Sequence, residues 1–339
     1  MAAKKNTPTR PPKMIGKPKK IRKNKSRIHL TLRQRLRIIL TVLVLFSAGL
    51  MCLLHFTGIF TFDDLLVSLD IKDRPATRRD LEVHVVSCGN ADCILIMSKG
   101  ETMVIDAGDR EHSASTVSYL KNHGVKKIKY LVATHQHFDH IGGMADVIWT
   151  FRVENMIAPK VPKELIPTSK AYERLLMAVQ GTGVKMRNAK NQTLKLGDCE
   201  VTVMPSPITD SDDLNNYSIV IRLVHGENTF LFTADAEKEE ELALIEKGYD
   251  LKAKVLKVGH HGSYSSSSAE FLDAVDPEYA VISSGYMNEF GHPHDSTMRR
   301  LEKYADKIYN TAYNGSVVFV SDGEGMSVYC SESSRRVYE

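Results

Sequence analysis

The chain has 339 residues, of which 42% are hydrophobic and 25% charged, an ordinary composition for a globular protein. Residues 1–37 carry 14 of the 45 Lys and Arg residues and no acidic residue, so the remainder carries 31 basic and 41 acidic residues. An acidic body disfavours nucleic-acid affinity that depends on general electrostatics, but it leaves room for a local basic groove.

The first 80 residues predict a membrane anchor. Residues 1–37 are rich in Lys, Arg and Pro and have too few apolar side chains to offset the entropy cost of ordering, which predicts a disordered cytoplasmic tail, with binding to anionic lipid or nucleic acid as a second interpretation. Ile38–Phe60 is almost wholly apolar, and at 1.5 Å per residue it would cover roughly 35 Å, enough to cross a bilayer core. Basic residues before it and Asp63 and Asp64 after it place the N-terminus inside, with 61–80 as a linker.

Two features of the exported part stay open. The anchor could instead be a cleaved signal peptide, although apolar sequence continues past a cleavable Ser47-Ala48-Gly49 stretch. The cysteines after residue 80 are Cys88, Cys93, Cys199 and Cys330. They are too few for a disulfide scaffold, so we interpret them as small buried residues, with a Cys88–Cys93 bridge as the alternative.

Short strands alternate with helices from residue 81 to 333, which predicts an α/β fold of two sheets with helices outside them. The predicted elements, in chain order, are strands Leu81–Ser87, Cys93–Met97 and Thr102–Ile105; helix Ser113–His123; strand Lys129–Ala133; a helix from about Gly143; helix Ala171–Gln180; strand Val201–Met204; the hairpin Tyr217–Val224 and Thr229–Phe232; helix Glu237–Lys247; strand Ala253–Val258; helix Ser268–Ala274; strand Tyr279–Ile282; helix Thr297–Tyr304; and strands Ser316–Val320 and Met326–Cys330.

A His-x-His-x-Asp-His motif directly follows the strand Lys129–Ala133 and consists of His135, His137, Asp139 and His140. Imidazole and carboxylate groups are ligands for Zn and similar metals. Residues 135 and 137 are two apart at a strand end and point to one side, while 139 and 140 can reach a second position. The motif therefore predicts two adjacent divalent ions.

This motif resembles that of the metallo-β-lactamase superfamily, which implies an αββα sandwich and a metal-dependent hydrolase. Further matches occur in the family's order. Asp106 lies at a strand end before the motif, and Asp235 corresponds to the carboxylate that bridges the two metals. The Gly259–Gly262 segment should complete the second metal site; we favour His260, with His261 as the fallback.

A narrower resemblance links residues 81–330 to the metallo-hydrolase domain of the bacterial DNA-uptake channel ComEC and its stand-alone relatives. It rests on the Gly-His-His-Gly-Ser segment at 259–263, the hairpin 84–96, Asn215-Asn216 and the Gly-His-Pro-His segment at 291–294. One membrane segment is too few for a channel. Where most of the superfamily has a further His ligand, this chain has Asn215 or Asn216, and an amide oxygen would loosen the first metal or favour Mn over Zn.

The resemblance also supplies a mechanism. Asp139 would take part in catalysis besides binding metal, and His294 or His292 would donate a proton to the leaving group or bind phosphate. Alternatively, both histidines only support the loop.

The predicted function is an exported phosphodiesterase or nuclease at a bacterial cell membrane, with a phosphoester, and DNA in particular, as its substrate. The alternatives are an esterase acting on wall phosphoesters such as phosphocholine, or a non-catalytic, metal-stabilised module that assists DNA uptake. The sequence predicts no protein partner, and it leaves the natural substrate, the metal identity and the oligomeric state open.

Overall fold

The computed structural model describes residues 31, 33, 38–43, 45–47, 49–50 and 80–331. The chain divides into two compact units, Met1–Leu65 and Leu66–Glu339. In the first unit, the described residues from 38 to 50 are helical. Within the described part of the chain, no helix is both long and apolar enough to cross a membrane. Most of the predicted tail, residues 51–60 of the predicted anchor, and 61–79 of the linker lie outside the described residues.

The second unit contains two packed sheets, and its elements are as follows. The strands are β1 Leu81–Val85, β2 Ile94–Ser98, β3 Glu101–Ile105, β4 Lys127–Val132, β5 Arg152–Ala158, β6 Met186–Asn188, β7 Gln192–Leu196, β8 Cys199–Met204, β9 Val220–His225, β10 Asn228–Phe232, β11 Val255–Lys257, β12 Tyr279–Ile282, β13 Lys307–Asn310, β14 Val317–Ser321 and β15 Met326–Cys330. The helices are α1 Ser113–Asn122, α2 Phe138–Ile141, α3 Met144–Thr150, α4 Lys170–Thr182, α5 Lys238–Glu246, α6 Ala269–Val275, α7 Asp295–Tyr304 and α8 Thr311–Asn314, with short 3-10 turns at Lys163–Leu165, Leu214–Tyr217 and Gly259–Gly262.

The strand order is β15-β14-β1-β2-β3-β4-β5-β6 in the first sheet and β13-β12-β11-β10-β9-β8-β7 in the second. A core that includes Phe230, Phe232 and Phe319 lies between the sheets. A second core packs α1, α3 and α4 against the outer face of the first sheet, and a third packs α5, α6 and α7 against the second. Each sheet thus buries both faces, and the predicted two-sheet α/β sandwich is confirmed.

Four strands were not predicted, namely β5, β6, β7 and β13, and three of these lie at sheet edges. An edge strand has one unpaired side and tolerates polar residues, so it need not show the alternation that marks a strand in sequence. All three residues of β6 are exposed, for example. The four cysteines after residue 80 have free thiols, and Cys88, Cys93 and Cys199 are buried as predicted, whereas Cys330 is only partly buried; Cys52 lies outside the described residues.

The topology brings the carboxyl ends of several strands to one edge of each sheet. Strands β3, β4, β5 and β6 run parallel in the first sheet, as do β10, β11, β12 and β13 in the second. Ligands bind outside the carboxyl ends of parallel strands in α/β proteins. The metal-binding motif follows β4, and Asp235 and the two adjacent histidines follow β10 and β11, so both sheets contribute to this edge.

Glu241 of α5 offers a test of the packing in the outer layer of the second sheet. The side chain is buried, and its carboxylate accepts hydrogen bonds from the backbone N–H groups of Ser267 and Ser268, just before α6. Burial raises its pKa to about 7, although those hydrogen bonds oppose the rise. The protonated form is therefore favoured in the folded state, and this contribution is lost as the pH rises from the unfolded pKa, near 4.5, through about 7.

We expect the free energy of unfolding of the wild type, relative to a Glu241→Gln variant, to fall by about 3 kcal/mol between pH 4 and pH 8. Urea denaturation across this range measures the difference. Glu270→Gln is the control, because Glu270 is exposed and forms its ion pair with Lys238 at the surface. A difference between wild type and Glu241→Gln that stays constant with pH would contradict the assignment.

Candidate metal centre

The loops that form the centre contain strained backbone. Four non-glycine residues adopt positive φ angles here: Asp106 at 56°, Ala234 at 49°, His260 at 45° and His261 at 53°. Such conformations cost free energy and persist only where surrounding contacts enforce them, often at functional sites. Each residue lies just past a parallel strand, so the strain is concentrated at the edge where the predicted ligands converge.

Four predicted ligands form one compact group of donor atoms. Asp139, His140, Asp235 and His261 each place a donor atom within 4.8 Å of the others. His140 Nε2 lies 3.3 Å from Asp235 Oδ1, and His261 Nε2 lies 3.3 Å from Asp139 Oδ2 and 3.6 Å from Asp235 Oδ2. Two imidazoles and two carboxylates form a donor set suited to a divalent transition metal.

A second group of donors lies beside the first. His135 Nε2 is 3.1 Å from His137 Nδ1 and 3.9 Å from Asp235 Oδ2. Asp235 is buried between the two groups. The structure therefore brings together His135, His137, Asp139, His140 and Asp235 in the arrangement expected for two ions that share one carboxylate.

The two adjacent histidines differ in their environments. His261 is buried, and because a carbonyl can only accept, its Nδ1–H donates to Ser283 O over 2.8 Å, leaving the Nε2 lone pair to face Asp139 and Asp235. His260 is 23% exposed, and its Nδ1 lies 3.2 Å from Glu237 Oε1. Its Nε2 is 3.7 Å from Asp235 Oδ2. This geometry favours His261 over the sequence-based preference for His260, since His261 belongs to the compact donor group.

Asn215 lies where the sequence places a weaker ligand. It is buried and, with His137, Asp139, Asp235 and others, lines a cavity of about 190 Å³. Its Oδ1 has no hydrogen-bond partner among the described residues. Asn216 Oδ1 also lacks a hydrogen-bond partner among the described residues, but Asn216 does not line this cavity, and its amide nitrogen donates to Ser211 and Glu239. Asn215 is thus the better placed of the two.

A cation fits the chemistry of this centre. Besides Asn215 Oδ1, the buried atoms His140 Nε2 and Asp235 Oδ1 have no hydrogen-bond partner of adequate geometry within the described part of the chain. Buried polar atoms normally have partners, because an unsatisfied one costs about 1–3 kcal/mol. These three atoms are all of types that coordinate metals, so a bound cation would satisfy them.

Residues behind the ligands hold them in orientation. Asp106 Oδ2 accepts from His140 Nδ1 over 2.8 Å and from the Thr134 hydroxyl over 2.6 Å, which leaves His140 Nε2 free to coordinate. The sequence indicated Asp106 only as a residue at a strand end before the metal-binding motif, where the superfamily resemblance places an Asp.

The buried ion pair of Lys257 and Asp92 was not predicted from sequence. Asp92 Oδ1 lies 3.6 Å from His261 Nδ1, and the Asp92 backbone N–H donates to Asp139 O. The pair therefore supports two of the ligands from behind. The sequence features that could have indicated this ion pair were an Asp in the first hairpin and a Lys at the end of an apolar strand.

The electrostatics of the centre suit cation binding. Burial lowers the pKa of His135, which favours its neutral, coordinating form. Burial acts to raise the pKa of Asp235 and of Asp139, but neighbouring imidazoles, His140 first, bring both below their usual range. Burial likewise acts to lower the pKa of His140, whereas Asp235, Asp106 and Asp139 raise it well above its usual value. A cation that coordinates His140 Nε2 would therefore displace a proton from this nitrogen. The carboxylates are thus ionised at neutral pH, the form that binds cations.

The two predicted phosphate-binding histidines occupy different positions. His292 lines the cavity, with its ring centroid 5.6 Å from that of His260 and 6.1 Å from that of His261. Burial and the nearby His261 and His260 lower its pKa to about 4. His294 does not line the cavity, and its Nδ1 accepts a hydrogen bond from the Tyr264 backbone N–H. Its ring is 5.0 Å from that of His292. His292 alone is therefore placed to meet a substrate.

Comparison with known proteins places these features in a family. Residues 86–286 match the Metallo-beta-lactamase superfamily, which is more than half of the chain. The chain is 27% identical over 264 residues to ComE operon protein 3 of Bacillus subtilis, an alignment that covers 72% of this chain and 34% of that protein. It is 30% identical over 285 residues to competence protein ComA of Neisseria gonorrhoeae, covering 83% and 38%.

A third relative, recombination protein 2 of Haemophilus influenzae, is 32% identical over 243 residues, covering 70% of this chain and 28% of that protein. The chain therefore spans about a third of the length of these curated relatives. Among solved structures, the metallo-beta-lactamase fold protein YhfI of Bacillus subtilis aligns with a TM-score of 0.45 and 13% identity, covering 68% of this chain and 95% of that one.

Proposed function

Because this chain belongs to the metallo-beta-lactamase superfamily, with homologues among competence proteins, we propose that it is a two-metal phosphodiesterase. The observation that carries the proposal is the position of Asp235, which lies between one group formed by His135 and His137 and another formed by Asp139, His140 and His261. Asn215 would contribute an amide oxygen to the first group. An amide oxygen is a harder ligand than imidazole, which makes Mn a reasonable occupant beside Zn.

Bound divalent cations supply Lewis acidity and lower the pKa of a water molecule at such a site. The chain's own residues would prepare for this chemistry. The shared carboxylate of Asp235 offsets the repulsion between two cations, while Asp106 and the Ser283 carbonyl keep His140 and His261 in the coordinating tautomer.

His292 would contact the substrate itself. With a pKa near 4, it is neutral at pH 7, so it suits N–H donation to a phosphoryl oxygen better than the role of a general acid. His294 would act indirectly, through its contact with His292. Asp139, besides binding metal, would orient the attacking water molecule by accepting a hydrogen bond from it.

We also propose that residues 38–60 anchor the enzyme in a bacterial membrane with its N-terminus in the cytoplasm and the hydrolase domain outside. The basic residues before the apolar segment and the acidic residues after it support this orientation.

The proposed substrate is a phosphodiester, and DNA is the leading candidate because one relative is named a competence protein and another a recombination protein. The same site chemistry would serve a phosphocholine ester of a wall polymer. A metal-stabilised module without turnover is the remaining alternative.

The test uses the full-length chain, stripped of metal and reloaded with either Zn²⁺ or Mn²⁺. We expect turnover of a chromogenic bis-phosphodiester that disappears with chelator and returns with metal. Release of phosphocholine from a chromogenic ester, compared with degradation of single-stranded DNA, separates the two enzyme candidates. A chain that binds two ions per molecule and hydrolyses none of these substrates would favour the non-catalytic module.

A further inference from the structure

The segment 159–190, from the end of β5 through α4 and β6, has a charge opposite to that of the rest of the domain. We call it the basic lobe. It contains seven basic and two acidic residues, a net charge of +5, whereas residues 38–339 carry an excess of acidic residues. A local excess of positive charge on an acidic body indicates a specific anionic partner, since general electrostatics would repel one.

Most of the charge on the basic lobe is available to such a partner. Arg174 pairs with Asp146. The remaining six basic side chains are exposed, and none forms an ion pair with a carboxylate in the part of the chain that the structure describes; they are Lys160, Lys163, Lys170, Lys185, Arg187 and Lys190.

Two cavities open beside these cations. One, of about 550 Å³, is lined by Arg187 and Lys190 and by the aromatic ring of Tyr130. The other, of about 220 Å³, is lined by Lys160, Tyr172 and a mainly apolar wall. Asn188 lines both, and no carboxylate of the described residues lines either. Cationic rims around partly apolar cavities suit a ligand that combines phosphates with flat rings.

Gln136 connects the smaller cavity to the metal centre. It lies between His135 and His137 in sequence and lines the smaller cavity, which is formed at the carboxyl ends of β4, β5 and β6. The side chain is 94% buried, and its Oε1 has no hydrogen-bond partner among the described residues. A buried amide oxygen without a partner requires a donor. The N–H edge of an unpaired nucleobase supplies one, whereas a phospholipid tail does not.

We propose that the basic lobe binds a single-stranded nucleic acid, with its phosphates on these six exposed cations and one base in the cavity beside Gln136. A single strand fits because a base within a duplex has its hydrogen-bonding edge paired. The inference rests on the proposed function only in treating this strand as the substrate; binding itself requires no turnover. The lobe then directs the strand along the strand-end edge toward the metal centre.

The test compares two quadruple variants of the full-length chain. The lobe variant is Lys160→Gln, Lys185→Gln, Arg187→Gln and Lys190→Gln. The control variant is Lys121→Gln, Lys126→Gln, Lys247→Gln and Lys303→Gln, which changes the net charge equally at exposed residues that line neither cavity. The probe is a fluorescent phosphorothioate 20-mer of thymidine, which resists cleavage, and its binding is measured by anisotropy at several salt concentrations.

We expect the lobe variant to bind the 20-mer at least about 30-fold more weakly at low salt, with a log–log salt slope reduced by about 3, as expected for four lost phosphate contacts. The control variant should change the affinity about twofold. The small chromogenic diester should be hydrolysed equally by both, because it does not reach the lobe. Photo-crosslinks from 4-thiothymidine should map to residues 159–190.

Three results would overturn the inference. They are equal binding of the 20-mer by the two variants, crosslinks confined to the basic tail 1–37, or a lobe variant that loses binding to phosphatidylglycerol vesicles but keeps 20-mer binding, which would indicate a membrane surface.

Failure of this inference can be distinguished from failure of the proposed function. Loss of 20-mer binding in the lobe variant, with no diester turnover by the wild type, retains the lobe and removes the enzyme. Diester turnover by the wild type, with 20-mer binding unchanged in the lobe variant, would retain the enzyme and remove the lobe.

Discussion

Replacing Asp235 by asparagine is expected to reduce bis-phosphodiester hydrolysis by at least about 1000-fold and to lower the bound metal from two ions per chain to one or fewer. Asp235 is buried and, among the described residues, is the one carboxylate with ion-pair contacts to both His135 and His140, at 3.9 and 3.3 Å. Asparagine keeps the size but loses the negative charge, so two cations would face each other without compensation. Several kcal/mol of lost charge stabilisation correspond to a rate effect of this size.

The matched control is Glu237→Gln, the same loss of charge two residues away. Glu237 contacts His260 and the Ser265 hydroxyl and lies outside the compact donor group. We expect it to retain two ions and most of the activity. Metal content by mass spectrometry and steady-state kinetics measure both effects. An Asp235→Asn protein that keeps two ions and more than a tenth of the wild-type rate would remove the basis of the two-metal proposal.

The second large effect is expected to separate the adjacent histidines. His261→Ala should lose one of the two ions and at least about 100-fold in kcat, because the buried Nε2 of His261 completes the donor group with Asp139 and Asp235. His260→Ala should retain both ions and lose less than 10-fold, because His260 is partly exposed and its Nδ1 lies beside Glu237.

The pair of variants needs no other control, since each serves as the reference for the other in the same turn. Metal stoichiometry and kcat should change together for His261→Ala. Circular dichroism shows whether both proteins remain folded. If His260→Ala lost the ion instead, His260 would be the metal ligand, as the sequence-based preference has it, and the assignment of His261 would be wrong.

The metal centre could be predicted to a large extent from local sequence. His135, His137, Asp139 and His140 lie within six residues after one apolar strand, so their proximity follows from chain connectivity alone. Central strands such as β1, β2 and β12 carry buried residues at all but one position, and their nearly continuous apolar sequence was sufficient to find them. Edge strands such as β6 lack that pattern because pairing on one side is enough to maintain them.

The choice between His260 and His261 could not be made from sequence. Both adopt left-handed backbone angles, so the alternation of a strand and the periodicity of a helix fail at this turn. Which imidazole points inward depends on the Ser283 carbonyl, 22 residues away, which accepts from His261. Asp92 and Lys257 show the same limit, since their ion pair joins the first hairpin to a strand of the other sheet.

Local sequence was enough to predict the donor types of the centre, the four ligands within one turn, and an apolar segment after a basic tail. Contacts across the fold were needed to identify the distant groups that complete the centre, the roles of Asp106 and Asp92 in orienting the ligands, and the position of Lys160 beside the same cavity as Gln136. The difference lies in the sequence distance over which each feature is set. Ligand type and local spacing are properties of neighbouring residues, whereas orientation and charge clustering arise from contacts between strands that are far apart in the chain.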